Sequence, residues 1–124
     1  VSLFVEADPA VLQACKDIGA EAVEIHTGEF AIEHNKGNSI QTYLNQFDSG
    51  AKYCAENGIL YHAGHGLTFD NITPLLELGV FAEYNIGHWI ICEAVFFGIA
   101  PVVERLLKEF ERYPIIVGLE TLEN

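Results

Sequence analysis

Methionine is absent from this 124-residue chain, which opens on "VSLFV", and basic residues are scarce, with six Lys and Arg against eighteen Asp and Glu. The resulting formal charge of −12 opposes non-specific binding to nucleic acid or to an anionic membrane surface. A phosphate-bearing ligand must then be held locally, by backbone amides, helix N-termini and a few donors. No apolar run approaches the roughly 20 residues of a membrane span, and no basic segment precedes an apolar one at the start as in a signal peptide. Three cysteines, Cys15, Cys54 and Cys92, are an odd count with no CxxC or paired metal-ligand spacing. They read as free thiols in a reducing, cytoplasmic setting. A start without methionine reads as the interior of a longer chain, with initiator removal before a small residue as the alternative.

Half of the residues are hydrophobic, enough for one packed domain. The pattern divides residues 1–113 into four strand-then-helix units, and leaves 114–124 as a C-terminal tail, strand-like or mobile. In the first unit, "VSLFV" is a short β-prone run, and a helix follows with Asp8 as N-cap, Pro9 at its first position and Gly19 past its end. Val11, Leu12, Cys15 and Ile18 share one face of that helix. The second unit has a strand over Ala22 to Thr27, a loop through "GEFAIEHNKGN" and a long helix from Ser39 to Asn57 closed by Gly58. The third has a strand from Ile59 to Ala63 and a short helix in "TFDNITPLLELG", where Pro74 is tolerable only in the first turn. The fourth has a strand from Val80 to Ile86 and two helices separated near Gly98, with Val102, Val103, Leu106, Leu107 and Phe110 forming the apolar face of the second. Alternation of this kind argues for an α/β chain of parallel βαβ units with right-handed crossovers. It suits a small open sheet, or half of a (β/α)8 barrel, whose usual length of about 250 residues is twice this one.

Side chains alternate across a strand, so Ala22, Glu24 and His26 share a face opposite Val23, Ile25 and Thr27. The same rule puts His62 beside Leu60, and Glu83 and Asn85 beside Phe81, opposite Val80, Ala82, Tyr84 and Ile86. Glu24, His26, His62, Glu83 and Asn85 make one face too polar for a parallel sheet covered on both sides, which suggests a functional cavity. Each of these residues alone is as well explained by a structural hydrogen bond. A second pattern adds weight: "HAGHGLT" follows the third strand and "NIGHWII" the fourth, placing a Gly-His pair at two strand-to-helix junctions. Helix N-termini there suit a phosphate, and barrel enzymes use the loops after strands seven and eight in this way.

In this order and spacing, "VSLFV", "EIHTG", "AGHGLT" and "NIGHWII" resemble the C-terminal half of the pyridoxine 5′-phosphate synthase family. The resemblance implies the second half of a TIM (β/α)8 barrel that condenses 1-deoxy-D-xylulose 5-phosphate with 3-amino-2-oxopropyl phosphate, giving pyridoxine 5′-phosphate, phosphate and water. It implies no metal and no organic cofactor, phosphorylated small molecules as ligands, and assembly into a homo-oligomer. By the same resemblance Glu24 is a transition-state-stabilising carboxylate, His65 a proton donor, and Gly66, Gly87 and His88 contacts to the aminoketone phosphate. Successive imine formation, dehydration and ring closure need the proton transfers that a histidine and a cavity carboxylate can supply.

The family's other catalytic histidine, its glutamate base and most pentulose phosphate contacts belong to the first half of the barrel, so this chain alone is expected to lack a complete site. Three residues depart from the family's pattern. Trp89 stands where a small residue is expected, Glu93 reverses a basic position near the presumed phosphate, and His62 replaces an asparagine. Two other readings remain open. One is a non-catalytic half-barrel that binds phosphate or self-assembles through its open strand edges. The other is a metal-dependent hydrolase using His26, His62, His65 or His88 with Glu24, which no HxH or HxxxH spacing supports.

Overall fold

A computed structural model describes residues 1–115. The chain order is β1 (Ser2–Val5), α1 (Pro9–Asp17), β2 (Ala22–His26), α2 (Gly28–Asn35), α3 (Gln41–Glu56), β3 (Leu60–Gly64), α4 (Thr73–Leu78), β4 (Glu83–Asn85), α5 (His88–Phe97) and α6 (Ile99–Glu111). The four strands form one parallel sheet in the order β1-β2-β3-β4, each paired only with its neighbours in sequence. This is the arrangement of half of an eight-stranded α/β barrel, in which each strand returns through a helix to the next place in the sheet.

Local chemistry sets the helix boundaries where capping residues are strong. The Asp8 carboxylate accepts the amides of Ala10 and Val11 at 2.9 and 3.2 Å, and Pro9 follows it at the start of α1. Leu12 and Cys15 are buried as the periodicity expects, whereas Ile18, which caps the C-terminus of α1, is 73% exposed. In α3 the spacing of Phe47, Gly50, Ala51 and Cys54 puts all four on the buried face. The segment expected as a loop before α3 is instead the two-turn helix α2, because Phe30 and Ala31 are buried against the core and hold the backbone that the polar sequence alone would not.

One face of the sheet is covered by helices. Val23, Ile25, Tyr61 and Ala63 point into that layer with Leu12, Phe47, Ile72 and Leu75. The Tyr61 ring stacks on Phe81 at 4.8 Å, and Phe81 meets Phe47 and Tyr84 edge-on at 5.7 and 5.8 Å. Fully burying a side chain such as Phe81 or Ile25 contributes about 1.5–3 kcal/mol. The Tyr61 hydroxyl donates to the Phe47 carbonyl at 2.9 Å, and burial pushes its ionisation far above the ordinary tyrosine range. Burial likewise pushes the Cys54 thiol up to about 11, as expected of a packed and unreactive cysteine. Cys15, Cys54 and Cys92 are all free thiols.

Phe81 corrects one expectation. The fourth strand is confined to Glu83–Asn85, so alternation does not extend back to Phe81, and its ring lies in the helix-covered core, away from Glu83 and Asn85. Ala82, expected on the covered side, is exposed, while Tyr84 does face the core and donates to the Leu75 carbonyl at 3.3 Å. On the second helix of the last unit, Val102 and Leu106 are buried and Phe110 packs on the core, but Leu107 is 52% exposed. No helix among the described residues is long and apolar enough to cross a membrane. Of the expected tail, residues 116–124 lie outside the described residues.

Candidate functional site

The other face of the sheet carries Phe4, Glu24, His26, Leu60, His62, Glu83 and Asn85, none of them buried. Register puts Glu24 beside His62 and His62 beside Glu83 across β2, β3 and β4. The Asn85 amide donates to Glu24 Oε1 at 2.5 Å, joining the second and fourth strands across the third. Gly64 makes room for this bond, since a Cβ there would strike the Glu24 carboxylate. It lies within β3 and does not have a positive φ, so close approach, not backbone freedom, explains this glycine.

Beyond Gly64 the chain turns sharply. His65 has φ +89°, the sole positive φ at a non-glycine among the described residues, and Gly66 follows at +75°. Two neighbours hold this strained turn. The Thr27 hydroxyl lies 2.8 Å from both the Gly64 and the His65 carbonyl oxygens, so one proton is shared between two acceptors. The Asn71 amide donates to the Gly66 carbonyl at 3.0 Å, and Asn71 and Thr68 exchange reciprocal bonds of 2.8 and 3.2 Å. The His65 ring stacks on His26 at 4.7 Å, and His26 lies 5.0 Å from Phe4. The Gly28 amide donates to His26 Nδ1 at 3.2 Å, which makes that nitrogen an acceptor and leaves the proton on Nε2. Glu6 Oε1 stands 3.7 Å from the same nitrogen, beyond hydrogen-bond reach.

The second Gly-His junction is built differently. Gly87 caps α5 with φ −119°, and a Cβ there would meet nothing within 4 Å. His88 opens the helix, exposed, with its Nε2 3.5 Å from Cys92 Sγ. The amides of the first turn of α5 have no partner inside the helix and point toward its N-terminal end.

The two junctions face one cavity of about 350 Å³, lined by His65, Gly66, Leu67, Thr68, Asn85, Ile86, Gly87, His88 and Trp89. Of the five expected site residues, His65, Gly66, Gly87 and His88 line it, and Glu24 does not, although it accepts a hydrogen bond from Asn85, which does. Glu93 does not line it. That side chain borders a separate cavity of about 220 Å³ with Trp89, Phe97 and Arg105, so the charge reversal stands apart from the glycine-lined space. Trp89 borders both and stacks on Phe69 at 6.4 Å. A larger cavity of about 820 Å³ between α1 and α3 is lined by Glu6, Asp8, Glu29 and amide or hydroxyl side chains, and contains none of the histidines. Among the described residues no three His, Cys, Asp or Glu side chains gather closely enough to hold a metal ion. Thr27 and Asn71 escaped the sequence reading. The one available signal was the Thr68 to Asn71 spacing, which matches a reciprocal cap.

Residues 1–112 match the profile of the family described as pyridoxal phosphate biosynthesis protein PdxJ. The chain belongs to the PdxJ family. A relative from Neisseria meningitidis serogroup A, named pyridoxine 5′-phosphate synthase, is 39% identical over 109 residues, covering 88% of this chain and 44% of the relative. Relatives of the same name from a Caulobacter species and a Sulfurihydrogenibium species are each 40% identical, over 86% of this chain and 43% of their own length. The chain therefore spans less than half the length of these PdxJ-family relatives, in keeping with half of a barrel.

Proposed function

We propose that this chain carries the second half of a pyridoxine 5′-phosphate synthase. The reaction condenses 1-deoxy-D-xylulose 5-phosphate with 3-amino-2-oxopropyl phosphate to pyridoxine 5′-phosphate, phosphate and water. The carrying observation is the single cavity onto which both Gly-His junctions open. In this reading the Gly66, Gly87 and His88 end of the cavity takes the aminoketone phosphate, using main-chain amides and the positive end of α5. Such a site suits a chain with only six basic residues. His65 donates a proton to departing oxygen, and Glu24 stabilises positive charge that develops as the imine forms and the ring closes. The Asn85 hydrogen bond keeps one Glu24 oxygen fixed while the other stays free to face substrate.

The remaining proton-transfer groups and the pentulose phosphate contacts come from a complementary half, so residues 1–124 alone are expected to be inactive. Free thiols at all three cysteines support a reducing, cytoplasmic setting. The test assays product formation from both substrates with this chain in a complete barrel, wild type and His65→Ala. Loss of about 10²–10⁴-fold in rate is expected for a general acid; equal rates would remove His65 from the chemistry.

A second reading, self-assembly without catalysis, draws on a different observation. α5 buries none of its residues, and Val95, Phe96 and Phe97 are 78%, 81% and 65% exposed. Apolar surface of this extent, in a chain whose sheet ends in the edge strands β1 and β4, favours association. Native mass spectrometry of the chain should show oligomers, and a monomer that persists at high concentration would dismiss this reading.

A further inference from the structure

Thr27 and Asn71 are the two fully buried polar residues among the described ones, and both spend their side chains on the same short turn. That turn contains the chain's one described non-glycine residue with a left-handed backbone. A β-carbon disfavours this region, and a histidine stays in it only when its surroundings over-determine it. The hydrogen bonds supply that constraint from both sides. Thr27 holds the carbonyls of Gly64 and His65, and Asn71 holds the carbonyl of Gly66. The side chain has its own restraint, since the His26 ring lies parallel to His65 within 23° and is itself fixed by the Gly28 amide. Gly28 is close-packed here, because a Cβ would strike the His26 ring and lie 3.0 Å from the His65 ring.

We infer that Thr27, Asn71 and His26 are positioning residues that fix His65 at the edge of the glycine-lined cavity, the first two through its backbone and the third through its ring. The inference rests on the reading of His65 as the proton donor for its importance, but the geometry it describes is independent of that reading. A donor displaced by about 1 Å loses on the order of 100-fold in rate, so a buried clamp on a strained residue has a direct chemical use. Thr27 and Asn71 need not touch substrate to matter; they act through the orientation of another group.

The 124-residue chain, isotopically labelled for NMR, tests this with inorganic phosphate as probe. In the wild type, phosphate should shift the amide resonances of Gly66, Gly87 and His88. Thr27→Val preserves shape and removes the shared proton. It is expected to move the His65 and Gly66 amides before any phosphate is added, to leave Gly87 and His88 in place, and to weaken phosphate binding about tenfold. Thr27→Ser should restore all three. His26→Asn keeps an acceptor for the Gly28 amide and removes the ring; it should move the His65 ring resonances and not its amide, and His26→Phe should bring them back. A residue with a merely structural role would lower the melting temperature in each variant without these selective shifts. Wild-type His65 resonances and phosphate affinity in Thr27→Val would overturn the clamp. Should that variant not fold, unmoved ring resonances in His26→Asn would overturn it instead. If phosphate shifts nothing in the wild type, the proposed phosphate site fails, while the His65 displacements still decide the clamp.

Discussion

The two Gly-His junctions use the same dipeptide for different physical ends. At the end of β3, neighbours press close on Gly64, His65 carries the strained backbone, and two buried polar side chains hold the turn. After β4, the pair Gly87 and His88 has an ordinary φ and open space around the glycine, although both histidines are exposed. One junction is a clamped, strained turn, and the other is a set of free amides at the start of a helix. A motif that looks repeated in sequence thus has two different structures at one cavity; in the proposed function the first would supply an acid and the second an anion hole.

Substitution should separate the junctions most clearly at their glycines. Gly66→Ala puts a β-carbon on a φ of +75° and 3.1 Å from the Ala31 β-carbon. A loss of about 2 kcal/mol in stability is expected, measured by urea unfolding. The next largest effect tests the strain at His65. Because glycine relaxes a left-handed position, His65→Gly should be about 0.5–1 kcal/mol more stable than His65→Ala in the same assay. Equal stabilities would mean that the turn after β3 carries no strain. Gly87→Ala, by contrast, should change stability by less than about 0.5 kcal/mol, since its β-carbon enters open space; a larger loss would make the two junctions alike.

Alkali should distinguish them least. Burial raises the ionisation of Cys54 to about 11 from 9.0 and raises that of Tyr61 and Tyr84 as well. The neutral forms are therefore favoured in the folded chain. Their contribution is complete below the unfolded values and is lost as pH rises through the folded ones. Melting temperature should fall from about pH 9 upward, and hydrogen exchange at both junctions should rise together as the shared core gives way.

Much of this was legible because short-range chemistry and long-range packing agreed. Asp8 and Pro9 announce α1, and the alternation in "AVEIHT" separates Glu24 and His26 from Val23, Ile25 and Thr27 as observed. The candidate site residues group as a set only through four ordered segments, since each glycine or histidine alone fits a plain turn. Where tertiary contacts overrode local pattern, the reading failed. α2 forms because Phe30 and Ala31 find the core, a fact invisible in a segment rich in glycine, glutamate and asparagine. Phe81 turned inward because the strand after it is short, so a two-residue period had nothing to count from. Thr27 reads as a strand residue and Asn71 as part of a short helical segment, and only burial reveals that their partners lie 37 and 38 residues away for Thr27 and five away for Asn71.

The bond between Asn85 and Glu24 joins residues 61 apart in sequence, whereas each strand pairs only with the strand before and after it. Sheet growth can thus proceed stepwise, each unit adding to the last with modest loop closure. The Glu24 carboxylate must wait for the fourth strand before it gains its partner. During folding, the scaffold would be assembled while its chemistry was still unformed, and pulse-labelled exchange would find β2 protected before the Asn85 side-chain amide.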